Sequence, residues 1–322
     1  MRRLSDLRGY RMERRFGVYP TRDEFVAYLE RYVRQEGLDV RLGAAVKRVE
    51  RTGVGWSTVL DGETLSARRA IVATGHDRRP FMPDWPGVDS YEGRRLHGAS
   101  YRNSRPFIGS DVLVVGAGNT ASDIATDLAR GGAARVRISV RTPPNIFPRR
   151  FYGMHAQRGA ILGEVLPAVG DSIGFIVQRR LYGDLANYGL PRPRHGMHLH
   201  FRLSGHGPMV DDGFVELVKS GAIEVLPAVA GFDADGVWLL DGSRVQPDTV
   251  ITATGYVRDL QDLVGHLGVL SADGAPLVNG SACSARAPGL HFIGFVRKMG
   301  GHLWPIREEA SQIARAITAD AR

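Results

Sequence analysis

A single cysteine, Cys283, stands in 322 residues. One thiol excludes a disulfide framework, a paired-cysteine redox centre and a thiolate zinc site. Lysine is scarce too: Lys47, Lys219 and Lys298 are the whole set, so arginine carries nearly all of the formal charge of +8. The arginines are spread along the chain, without the clustered basic face that nucleic-acid binding leaves. The expectation is a solvated basic surface, part of it serving phosphate-bearing cofactors. No apolar run approaches the roughly 20 residues of a membrane-spanning helix, and residues 1–8 hold no apolar stretch of the secretory kind. A cytoplasmic setting without a membrane span is expected. Low-complexity segments are missing as well. Hydrophobic residues make up 43% and charged residues 24%, a balance that excludes disorder and supports a sizeable core. At roughly 100–200 residues per domain, the length points to two domains.

Residues 19–34 place Phe25, Tyr28, Leu29 and Tyr32 at helical spacing after Pro20-Thr21, which predicts an amphipathic helix. From 40 to 73 the pattern shifts to short alternating runs punctuated by Gly53, Gly55 and Asp61-Gly62, a β-meander. Residues 75–109, rich in proline and glycine, read as a connection between domains. The apolar run 112–115 then predicts a strand buried on both faces. It leads through Gly116-Ala117-Gly118-Asn119-Thr120-Ala121 into a helix with an Ala121, Ile124, Ala125, Leu128 stripe, and on to a strand at 136–140. Strand, helix and strand within about 30 residues form a βαβ unit. A strand-rich stretch, 223–253, ends on Ala253-Thr254-Gly255, repeating the Ala73-Thr74-Gly75 tripeptide. The two tripeptides bracket the middle unit, which therefore reads as inserted into another domain.

Gly116-x-Gly118-x-x-Ala121 is the sharpest local signal. Gly116 permits the tight turn, Gly118 lets backbone approach a pyrophosphate, and Ala121 lets the helix pack on the strand. The helix amino end offers free N–H groups and partial positive charge to phosphates. NAD sites place Asp or Glu at the end of the second strand, for the ribose 2′-hydroxyl. Here Ser139 and Arg141 stand there, with no acidic residue between Arg135 and Arg150. A guanidinium suits a 2′-phosphate, so NADPH is favoured over NADH.

Ala73-Thr74-Gly75-His76 followed by Pro80, Pro83 and Pro86-Gly87 resembles the linker of flavin-containing monooxygenases. Tyr91-x-Gly93-x-x-x-His97-x-x-x-Tyr101 is similar to that family's fingerprint, with Tyr for the leading Phe, and Ala253-Thr254-Gly255-Tyr256 is similar to its second linker. The likeness runs from about Leu4 to the carboxyl end. It implies an α/β flavoenzyme with two Rossmann-like dinucleotide-binding domains, the NADPH domain inserted into an FAD domain. It further implies FAD and NADPH as cofactors and O2 and a small molecule as partners. The implied chemistry passes an oxygen atom from a flavin C4a-hydroperoxide to a soft nitrogen or sulfur centre. By the same likeness the 73–76 and 253–256 linkers and His97 belong to the cofactor site, with His97 positioning NADPH; taken alone, the residue reads as a proton donor or as a hydrogen bond fixing the linker. The FAD-binding glycine-rich unit that opens the family has no counterpart here, so the FAD domain is expected to be truncated at its amino terminus and its site incomplete. The expected divisions are 1–109 and 247–322 for the FAD domain and 110–246 for the NADPH domain. Two alternatives stand beside this reading: a Baeyer–Villiger-type ketone monooxygenase, whose fingerprint ends in Trp where Tyr101 stands, and an NADPH-binding remnant without oxygenase activity. No catalytic side chain is singled out.

His195, His198, His200 and His206 gather within 12 positions without an intervening carboxylate or thiolate, and no metal site is expected of them. The helix from about 305 to 318, after His302 and Trp304, has Ile306, Ala310, Ile313 and Ala314 as its inward face. Its amino end favours negative charge on a reduced flavin ring.

Overall fold

In the computed structural model, which describes residues 2–151, 154–155, 166–299 and 301–319, the run 112–115 is apolar throughout because both faces of its strand, Asp111–Val115, are covered. Val112 and Val114 pack with Val136, Ile138 and Ile251 against the helix Asn119–Arg130, through Ala121, Ile124, Ala125 and Leu128. Leu113, Val115 and Val250 point the other way, onto Val229, Phe232, Val237 and Leu239. Those four belong to a three-stranded antiparallel sheet of Val229–Phe232, Val237–Leu239 and Arg244–Val245. Helix, parallel sheet and antiparallel sheet thus form three layers, each strand alternation matched to a layer.

The central sheet has five strands in the order Glu224–Leu226, Arg135–Ser139, Asp111–Val115, Thr249–Thr252, Arg94–His97. Every neighbouring pair is parallel. The βαβ unit lies where its pattern predicts. Residues 75–109 require a correction: they are more than a connection, since Arg94–His97 is the edge strand and Val88, Tyr91 and Phe107 are buried. The strand leaves no sequence signal because Arg94-Arg95-Leu96-His97 has no apolar run; an edge strand backed by few side chains needs none.

The chain divides into two compact units, Met1–Arg79 with Val257–Arg322, and Pro80–Tyr256. The sequence-based divisions fell at 109/110 and 246/247. The difference has a physical source: both Arg94–His97 and Thr249–Thr252 hydrogen-bond into the five-stranded sheet, which draws 80–109 and 247–256 into the inserted unit.

In the first unit the helix Arg22–Glu36 begins with a capping box in which Thr21 and Glu24 exchange side-chain and backbone bonds. Its Tyr28 hydroxyl accepts from the Leu7 N–H at 2.7 Å and donates to the Tyr10 carbonyl at 2.6 Å. Strands Arg48–Arg51, Trp56–Val59 and Thr64–Ala67 form the expected meander. Ala70–Val72 leaves it to pair in parallel with Leu290–Phe292. The terminal helix is Leu303–Ala319; Ile313 is buried, whereas Ala310 and Ala314 are exposed, contrary to the inward face expected for them. Alanine fits either environment, so a stripe built on it is a weak signal.

Candidate functional site

The turn out of Asp111–Val115 is built around Gly116. Its φ of +138° lies where L side chains are strained, and a Cβ there would sit 2.4 Å from the Ala253 carbonyl oxygen. Ala121, fully buried, would be 3.6 Å from the same Cβ through its own. Gly118 is different: its φ is −93° and nothing lies within 4 Å of the position a Cβ would take. It is the residue before the helix Asn119–Arg130, has no side-chain cap, and the first turn holds no acidic group. The amide N–H groups at this end therefore have no side-chain acceptor of their own, which is the donor set a diphosphate requires.

Ala117, Gly118, Asn119 and Thr120 line the rim of this turn, the last three exposed. The Asn119 amide is engaged elsewhere: Nδ2 donates to the Pro208 carbonyl at 3.2 Å, and Oδ1 accepts from the Val210 N–H at 2.7 Å. What Asn119 offers a nucleotide is its backbone. Ser139 is buried, and its hydroxyl donates to the Pro227 carbonyl at 2.7 Å. Arg141 stands two residues beyond the Arg135–Ser139 strand, is exposed, and has no ion-pair partner among the described residues. Of the second-strand pair, the guanidinium is the group available to a 2′-phosphate.

The second linker runs beside the glycine turn. Ala253 N–H donates to the Val115 carbonyl at 2.8 Å, which sets the Ala253 carbonyl against Gly116. Thr254 Oγ1 donates to the Phe81 carbonyl. The Gly255 carbonyl accepts from Phe81 N–H at 2.9 Å and from His97 Nε2 at 3.0 Å. His97 Nδ1 accepts from Ala99 N–H at 3.0 Å, which assigns the proton to Nε2. Its ring meets Tyr256 edge-on at 5.1 Å, and burial lowers its pKa below the usual histidine value. Both nitrogens of a neutral ring are thus engaged by backbone, which makes His97 a fastening of the linker. Thr120 Cγ2 lies 3.1 Å from where a Cβ on Gly98 would stand, so the turn after His97 rests on the helix Asn119–Arg130.

The other fingerprint residues also fasten this unit. Tyr91 OH donates to the Pro247 carbonyl at 2.7 Å, and Tyr101 OH to Asp127 Oδ2 at 2.5 Å. Burial raises the pKa of both phenols, and for Tyr101 the Asp127 carboxylate raises it further.

Residues 73–76 lie in the first unit. Ala73 and Thr74 are exposed, Gly75 turns with φ of +66°, and His76 is buried. His76 Nδ1 accepts from Arg258 Nε at 3.3 Å. Arginine keeps its proton, so Nε2 carries the imidazole hydrogen, and that buried atom has no acceptor. Burial, with Arg297 and Arg258 nearby, holds the pKa down at about 4. A bound acceptor atom would satisfy this orphaned donor. Among the described residues there is no second Gly-x-Gly turn between a strand and a helix, so they offer one turn with the geometry a diphosphate would need, not two.

No three of the four histidines meet at one point. His198 and His200 ride the helix Met197–Ser204, and His198 Nδ1 is 2.9 Å from Asp171 Oδ1, whose carboxylate also accepts from the His198 and Leu199 N–H groups. Among the described residues no three potential ligands gather around a metal position. The Asn119, Tyr91 and His76 partners were invisible to sequence reasoning, since each lies 89 or more positions away.

Residues 10–148 match the family model described as pyridine nucleotide-disulphide oxidoreductase. The chain is 35% identical over 266 residues to indole-3-pyruvate monooxygenase YUCCA1 of Oryza sativa subsp. japonica, covering 79% of this chain and 65% of that protein. It is 32% identical over 303 residues to indole-3-pyruvate monooxygenase YUCCA4 of the same subspecies, covering 88% and 68%. It thus spans about two thirds of the length of these curated relatives. The flavin-containing monooxygenase from Stenotrophomonas maltophilia superposes with a TM-score of 0.71 at 23% identity, covering 99% of this chain and 83% of that one. Cyclohexanone monooxygenase from Rhodococcus sp. Phi1 bound to NADP+ gives 0.70 at 17%, covering 94% and 70%. Both structural likenesses establish the two-dinucleotide α/β fold. No helix among the described residues is long and apolar enough to cross a membrane.

Proposed function

This chain belongs to the flavin-containing monooxygenase family, and on that premise we propose that it serves an NADPH- and FAD-dependent monooxygenase acting on a small molecule. The observation that carries the proposal is the glycine turn: Gly116 admits no side chain, Gly118 faces open space, and the helix behind them begins without an acidic residue. Gly116 through Ala121 would hold the nicotinamide coenzyme's diphosphate by backbone N–H groups, and Arg141 its 2′-phosphate. His97 and the 253–256 linker hold the turn in register and keep its far wall rigid. FAD enters through family membership; among the described residues, the buried His76 N–H without an acceptor is a feature that fits a flavin. When bound, the flavin would supply oxygen activation, with electrons from the nicotinamide.

For the substrate, the family resemblance supports a soft nitrogen or sulfur centre. The names of the relatives favour a second reading, a 2-oxo acid, in which oxygen enters next to a carbonyl as in the Baeyer–Villiger class. Calorimetric titration with NADPH and NADH tests the nucleotide site directly. Absorbance of the purified protein tests the flavin: a flavin spectrum bleached by NADPH supports the enzyme, whereas colourless protein that binds NADPH supports a nucleotide-binding remnant. Turnover with amines, sulfides and indole-3-pyruvate then separates the substrate readings.

A further inference from the structure

We propose that Asn119 is a positioning residue for coenzyme selectivity, tying the start of the nucleotide helix to the far end of the turn that carries Arg141. The inference rests on the reading that Arg141 takes the 2′-phosphate. Arg141-Thr142-Pro143-Pro144-Asn145 leaves the sheet after Val140, whose N–H donates to the Leu226 carbonyl at 2.9 Å. That bond fixes the near end. The far end enters the strand Ile146–Pro148, which pairs in parallel with Met209–Asp211. Met209 N–H donates to the Asn145 carbonyl at 2.8 Å, and Arg149 N–H to the Asp211 carbonyl at 3.1 Å.

This two-stranded ladder is separate from the central sheet. Asn119 joins it to the nucleotide helix, accepting from Val210 N–H at 2.7 Å and donating to the Pro208 carbonyl at 3.2 Å. The turn between the two anchors is five residues long and two of them are proline, with fixed φ. Movement of its far end is therefore passed on to Arg141 rather than absorbed. Cut the Asn119 bridge, and the guanidinium loses its register against the helix amino end that holds the diphosphate. Only a nucleotide carrying a 2′-phosphate registers that loss.

The test is a double-mutant cycle read as the ratio of Kd for NADH to Kd for NADPH, measured by calorimetry on the full chain. Arg141→Ala lowers the ratio about 10- to 100-fold, the scale of a lost charge-assisted pair. Asn119→Leu lowers it about tenfold in the parent and leaves it unmoved in the Arg141→Ala background. Asn119→Asp is isosteric and keeps the Val210 bond but loses the donation to Pro208; its charge weakens both nucleotides together, and it retains part of the ratio. Should Asn119→Leu fail to fold, Asn119→Ser, too short to reach Val210 and Pro208, reads the same loss of ratio. Equal weakening of NADH and NADPH by folded Asn119→Leu, or a ratio loss that persists without Arg141, overturns the positioning role. An unmoved ratio in Arg141→Ala alone removes the 2′-phosphate reading itself, a different failure with its own signature.

Discussion

Two glycines two positions apart should fail in opposite ways when given a methyl group. Gly116→Ala places a Cβ 2.4 Å from the Ala253 carbonyl at a backbone φ of +138°. The conformation costs about 1–3 kcal/mol. Displacing a carbonyl whose own N–H is bonded to Val115 costs about 1–3 kcal/mol more, as overpacking does. The sum, about 2–6 kcal/mol, is a large part of an ordinary domain's stability, so the urea midpoint should fall steeply. Gly118→Ala meets nothing within 4 Å and needs no unusual φ, so its folding should match the parent within about 0.5 kcal/mol. Its methyl would stand where backbone must approach the diphosphate. Losing charge-assisted N–H contacts at about 1.5–3 kcal/mol weakens NADPH roughly 10- to 100-fold. Equilibrium denaturation and calorimetry on the two variants read both quantities. Unimpaired NADPH binding by Gly118→Ala would refute the cradle, and a Gly116→Ala protein as stable as the parent would refute the geometry of the turn.

Arg141→Ala should weaken NADPH about 10- to 100-fold and NADH less than about threefold, by calorimetry; equal losses would show that the guanidinium serves both nucleotides or neither. Tyr91→Phe keeps the ring against Phe232, 5.4 Å away, but strands the Pro247 carbonyl. A loss of about 1–2 kcal/mol in urea denaturation is expected, with nucleotide affinity unchanged; an unshifted midpoint contradicts it. His76 gives a pH signature. With the folded pKa at about 4 and the unfolded one near 6.5, the unfolded chain binds the extra proton between those values. Stability is therefore complete above about pH 6.5 and declines toward pH 4, by up to about 1.4 kcal/mol per unit. Denaturation midpoints at pH 7.5 and 5 should converge in His76→Gln relative to the parent; identical pH slopes would mean the ring titrates normally.

The nucleotide unit was legible because its signals are local. A strand covered on both faces must be apolar at every position, and a helix packed on one side must repeat its stripe, so 112–115 and Ala121, Ile124, Ala125, Leu128 announce themselves. The glycine spacing adds the turn between them. Arg94–His97 was illegible for the converse reason: as an edge strand it needs no apolar alternation, and its pairing with Thr249–Thr252 spans the whole inserted unit. The side-chain roles hid for the same cause. Asn119 looks like part of a phosphate loop in sequence, and only its partners at Pro208 and Val210 show that its amide faces protein. In the histidine-rich stretch, spacing alone does not reveal that Asp171, from a different helix, engages His198.

The fingerprint acquires a physical purpose from these bonds. The strand Arg94–His97 buries one side chain fully, His97, so apolar packing holds it weakly to the sheet. Three side chains compensate, and each reaches a different segment: Tyr91 the Pro247 carbonyl, His97 the Gly255 carbonyl, Tyr101 the Asp127 carboxylate. Before the strand, at its end and after it, the motif bolts the edge to the approach of the next strand, to the linker and to the nucleotide helix. At about 1 kcal/mol each, three such bonds rival the burial of one large aliphatic side chain. The arrangement also decides the character of His97. A ring that accepts from Ala99, donates to Gly255 and is kept neutral by burial cannot gain a proton without breaking the first bond or lose one without breaking the second. Its chemistry is that of a staple, and the fingerprint's spacing is the spacing needed to span one edge strand and come back to the backbone beyond it.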